Sequence, residues 1–160
     1  MNTRIAFAAL VAVSAAFAGE ASAQTQTVSF SVAPINEMSV SGNPATLNIT
    51  AAVAGSGPTS VTDASTTWAI TTNQTGTKVT AALDLAMPAG VTLGLTLGAP
   101  SGATPVANVQ LGTVAADVVT GITKLNESGK TITYTLSATA AAGVVASADR
   151  TVTYTVVAGS

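Results

Sequence analysis

Polar and apolar positions alternate with a period of two through most of this chain, and most cleanly near its end. Thr131-Ile132-Thr133-Tyr134-Thr135-Leu136 is repeated almost residue for residue as Thr151-Val152-Thr153-Tyr154-Thr155-Val156. Alternation of this kind is the pattern of a half-buried β-strand. Between the two runs lies Ala140-Ala141-Ala142-Gly143-Val144, small residues with one glycine able to take positive φ. The spacing predicts a long antiparallel hairpin.

The same pattern recurs upstream. Val28, Phe30 and Val32 alternate with Ser29 and Ser31; beyond Pro34, Met38 and Val40 continue the even-numbered face, which predicts one strand broken at a sheet edge. Ala45–Val53 sets Leu47, Ile49, Ala51 and Val53 on one face, and Gly55-Ser56-Gly57-Pro58 follows as a loop. Thr66–Thr72 places Trp68 and Ile70 together. Val79, Ala81, Leu83 and Leu85 form the next inward row, then Val91, Leu93, Leu95 and Leu97, and Val109 with Leu111 makes a short strand. Asp117–Leu125 breaks the pattern: Val118, Ile122 and Leu125 fall at helical spacing behind Asp117 as a possible N-cap, which predicts a short helix over 117–125. Eight or nine short strands separated by turns predict an all-β antiparallel sandwich. A β-solenoid would need a fixed repeat along the whole chain, and only the last two runs repeat.

The closing runs resemble the last strands of bacterial immunoglobulin-like domains. Tyr134-x-Leu136 is similar to the Tyr-x-Cys of that family's penultimate strand, with Leu in place of Cys, and Asn126-Glu127-Ser128-Gly129-Lys130 resembles the turn before it. The resemblance implies an immunoglobulin-like sandwich.

Met1–Arg4 followed by the apolar run Ile5–Ala18 and Ala21-Ser22-Ala23 reads as a signal peptide spanning 1–23, with cleavage before Gln24. The remaining 24–160 suits one domain. Export to the cell surface or the extracellular medium is the expected address, with the periplasm also open. Charged residues are 8% of the chain and the net charge is −2. No basic cluster forms a nucleic-acid face, and no later apolar run is long enough to span a membrane.

The sequence contains no His and no Cys. That removes Ser–His and Cys–His nucleophiles, imidazole and thiolate metal sites and the commonest general base. Glu37, Asp63, Asp84, Asp117, Glu127 and Asp149 are spread singly, with no calcium-loop run among them. No catalytic residue, cofactor or metal is therefore expected, and the reading is non-enzymatic. Trp68 is either a core residue or an aromatic platform for a sugar; its shared face with Ile70 favours the core, and Phe30, Tyr134 and Tyr154 read as core aromatics too. The rows Thr131, Thr133, Thr135 and Thr151, Thr153, Thr155 read as the wet faces of sheets rather than as a flat ladder ordering water.

The stretch Val28–Val32, close behind the expected cleavage site, is a terminal strand that pairs in its own sandwich or inserts into a neighbour by strand addition. In this it is in part similar to chaperone–usher pilins, although Thr151–Val157 reads as a complete last strand, which those subunits lack. The expected role is structural: a building block of the cell surface, an extracellular fibre or a matrix, with Val28, Phe30 and Val32 as the joint and the chain itself as partner. The alternative is a secreted binding or adhesion module for a glycan or an extracellular protein.

Overall fold

The computed structural model describes residues 22–158. The signal peptide expected over 1–23 lies almost wholly outside the described residues. Residues up to Val32 and the body from Ala33 onward are separate units and are treated separately.

Among the described residues the body is a β-sandwich of nine strands: β1 (Asn36–Val40), β2 (Val61–Thr72), β3 (Thr77–Leu83), β4 (Val91–Leu97), β5 (Thr104–Pro105), β6 (Val109–Gln110), β7 (Ala116–Ile122), β8 (Leu125–Ala138) and β9 (Val152–Val157). Five form one sheet in the order β1-β2-β8-β4-β6, and four form the other in the order β5-β7-β3-β9. Every pairing is antiparallel. The core lies where the inward rows meet: Trp68, Ile70, Leu93, Leu95, Leu97, Ile132 and Tyr134 from the larger sheet, Val79, Ala81, Leu83, Val118, Val119 and Ile122 from the smaller. These rows are the alternating apolar positions of the sequence, since successive side chains of a strand point to opposite faces.

The expected closing hairpin does not form. β8 pairs with β2 and β4 in the larger sheet, whereas β9 pairs with β3 in the smaller. After β8 a single 3₁₀ turn, Ala140–Ala142, and the segment 143–151 carry the chain across to the other layer. Asp84 anchors the arrival: its carboxylate accepts the Leu85 and Thr151 amides at 2.8 and 2.9 Å. The twin runs thus lie in opposite layers and meet through the Tyr134 and Tyr154 hydroxyls. Each needs an apolar inner row and a Thr outer row, which is why they look alike.

The helix expected over 117–125 is strand β7 and the start of β8. The β3–β7 register shifts on both sides of the Val79–Val119 pair, so β7 carries extra residues there. One bulge brings Val118 and Val119 both to full burial; the other contains Gly121 at φ 73°. The inserted residues break the period of two and leave Val118, Ile122 and Leu125 at a spacing that imitates a helix face. Asn126–Lys130, read as a turn, is likewise continuous strand. Its register slips between Trp68↔Lys130 and Ile70↔Glu127, with Gly129 at φ 68° taking the bulge.

Ala45–Val53 forms no strand; only an isolated Ala52↔Pro58 bridge links the two arms of this excursion. Pro58 has no N–H to continue a ladder, and Val53 is 69% exposed. Leu85, expected inward, lies beyond the end of β3 and is exposed.

Candidate assembly segment and sheet edge

Residues 22–32 contain no regular secondary structure, and every one of them is exposed. The strand expected over Val28–Val32 is absent, and both sheets are built wholly from residues 36–157. Val28 is 76% exposed, Phe30 92% and Val32 78%. Phe30 is therefore not a core aromatic. An apolar row at two-residue spacing in a segment without charge has the composition of a strand and, in this structure, no ladder.

Where the body begins, the chain is held firmly. The Asn73 side chain donates from Nδ2 to the Ala33 carbonyl and accepts the Ile35 amide at Oδ1, both at 2.8 Å, and the Asn73 amide donates to the Ile35 carbonyl at 3.3 Å. Asn73 sits in the tight turn between β2 and β3, so Ala33–Ile35 is tied to that end of the sandwich.

Four strands border the two sheets: β1 and β6 in one, β5 and β9 in the other. β5 and β6 have two residues each. β9 has six, Val-Thr-Tyr-Thr-Val-Val, with no charge and no Pro. It pairs with β3 alone, and among the described residues no other backbone hydrogen bond reaches Val152–Val157. Every second residue of such an edge directs its N–H and C=O away from its neighbour. The inward residues Val152, Tyr154 and Val156 pack against the core yet stay half-buried.

Trp68 is 1% exposed and donates from its indole nitrogen to the Gly98 carbonyl at 3.1 Å, so its ring offers no platform to a sugar. Tyr134, 6% exposed on β8, and half-buried Tyr154 on β9 meet hydroxyl to hydroxyl at 2.7 Å, joining the two layers. Burial pushes both phenols above their ordinary value. Glu127 receives the Lys130 ammonium at 2.6 Å and the Ser101 amide at 3.1 and 3.2 Å. The Lys130 contact and then Ser101 lower its carboxyl from 4.5 to about 2. Its partners fix a loop to β8, a structural task. Among the described residues no group of three His, Cys, Asp or Glu is placed to hold a metal, and no helix is long and apolar enough to cross a membrane.

The residues expected as a joint, Val28, Phe30 and Val32, are neighbours in sequence alone, and the half-covered edge of β9 is not legible in the sequence. The alternation shows that Val152, Tyr154 and Val156 face inward, but not that their strand ends a sheet. Comparison of the chain with protein-family models, curated proteins and solved structures finds no match in any of the three.

Proposed function

We propose that the protein is an exported, non-enzymatic structural subunit that assembles at the cell surface or outside the cell through strand addition, with Val28, Phe30 and Val32 as the joint. The observation that carries this reading is the exposed Val28–Val32 row, in a segment that belongs to neither sheet. Extended, it would present its three apolar side chains on one face. Burying each contributes about 1.5–3 kcal/mol, with Phe30 the largest, and main-chain hydrogen bonds add affinity along the strand. The signal-peptide pattern of Met1–Ala23 supports export, and a sequence without His or Cys supports a non-catalytic role.

Phe30→Asp tests the reading. In sedimentation velocity and negative-stain microscopy, the chain from Gln24 should form polymers, and Phe30→Asp should be a monomer with an unchanged circular dichroism spectrum. A wild-type chain that stays monomeric at high concentration, or a Phe30→Asp chain that polymerises equally well, overturns it. Monomers that bind on a glycan array would favour the adhesion-module alternative.

A further inference from the structure

We infer that the acceptor for this joint is the free edge of β9 in a second copy of the chain: Thr27–Val32 of one molecule adds beside Val152–Val157 of the next and extends the four-stranded sheet to five. The inference rests on the assembly reading above and names the surface that it leaves open.

Elimination points to β9. A strand of five or six residues needs an edge of similar length, and β5 and β6 have two residues each. β1 is long enough, but its inward row is poor. Asn36 is polar and accepts a hydrogen bond from the Thr72 hydroxyl, Val40 is 47% exposed, and only Met38 packs on the core. β1 also carries Glu37, and Pro34 stands just before it; charge and proline near an edge are the usual guards against strand addition. β9 has no charge or Pro within its six residues, and Arg150, two residues before it, donates to the Ala86 carbonyl.

The chemistry of the two segments matches. Val28, Phe30 and Val32 repeat every second residue, as do Val152, Tyr154 and Val156. Set alongside β9, the donated row lies on the same face and covers the half-buried inward side chains of that edge. The alternate positions are Ser29 and Ser31 on the donor and Thr153 and Thr155 on the acceptor, so the outer face stays polar and neutral. No charged side chain enters the joint from either strand, so none has to lose its water there. The outward N–H and C=O groups of β9 gain ladder partners.

Cysteine pairing tests this, because the chain has no thiol of its own. Ser29→Cys or Ser31→Cys in one chain is mixed with Thr153→Cys or Thr155→Cys in another, starting from Gln24, under mild oxidation. All four positions are on the polar face, which spares the apolar anchors. Facing residues of adjacent antiparallel strands have Cα atoms about 4.5–5.5 Å apart, within disulfide reach, whereas beyond about 7 Å none forms. The expected result is a mixed-chain dimer in at least one of the four combinations, well above the single-cysteine controls, and its loss on adding Phe30→Asp to the donor. Wild-type-like assembly in which the donor cysteine couples to Ser39→Cys on β1 and not to β9 overturns the choice of edge and leaves the assembly reading standing. A disulfide formed only within one chain carrying both cysteines overturns the second copy as occupant. Chains that neither assemble nor cross-link overturn both readings.

Discussion

Replacing the hydroxyls that join Tyr134 to Tyr154 tests the placement of the two closing strands in opposite layers. Tyr134→Phe and Tyr154→Phe each remove one hydroxyl and leave the other without its partner at 2.7 Å. A neutral hydrogen bond contributes about 0.5–1.5 kcal/mol net, and a stranded buried group costs about 1–3 kcal/mol. Tyr154 is only half-buried, so water reaches part of the site and the lower end applies. Each single variant should lose about 1–2 kcal/mol. The double variant should lose about as much as one of them, a coupling of about 1–2 kcal/mol in a double-mutant cycle read from guanidinium unfolding. These are also the chain's only two tyrosines, so phenolate absorbance reports on this pair alone. Both folded values lie above the ordinary value of 10. The pair's contribution is therefore complete below about pH 10 and is lost as pH rises toward the folded values. Phenolate should appear late and together with loss of the β-sheet dichroism. Strictly additive single losses, or tyrosines titrating near pH 10 in an intact fold, would refute the contact and with it the arrangement of β8 and β9.

Two further outcomes follow from the core and the loops. Trp68→Ala should destabilise the domain by about 3–5 kcal/mol, and native emission should be blue-shifted until unfolding; red-shifted native emission would place the ring in water. Glu127 titrates at about 2 in the folded chain against an ordinary 4.5, so its contribution is complete above about pH 4.5 and lost as pH falls toward 2. Urea midpoints across that window should fall less in Glu127→Gln than in the wild type, and identical slopes would remove the Lys130 and Ser101 contacts from the account.

The sandwich was legible because alternation reports which way a side chain faces. Leu93, Leu95 and Leu97, or Val79, Ala81 and Leu83, could be placed inward without knowing any partner strand, and all six are in the core. What alternation does not report is which strand lies alongside. The twin runs carry the same inward and outward rows whether they pair with each other or face across the core, so the hairpin and the sandwich bridge are indistinguishable in the pattern. Bulges hid β7 because each added residue shifts the phase of the alternation. The row Leu47, Ile49, Ala51, Val53 shows the converse: it has a strand's pattern, yet Pro58 sits where its returning arm would need a donor. In the segment before the body, the alternating row Val28, Phe30 and Val32 is visible in sequence, but its exposure is not, and Phe30 reads there as core. The acceptor is not visible either, because the end of a sheet is a property of topology.

The near-repeat of β8 and β9 has a consequence for how the chain reaches its fold. Native partners are remote in sequence: Leu125 pairs with Thr72, and Val157 with Lys78. The twins are separated only by residues 139–151 and could close on each other as a hairpin in about 1–10 μs, well before distant strands meet. That hairpin would satisfy both alternation patterns and still be wrong, since the two strands must part and enter different layers. The stretch Leu125–Val157 thus encodes a local alternative to its native pairings, a source of frustration. A chain that closed this hairpin first would have to open it again before β8 and β9 could enter their separate layers.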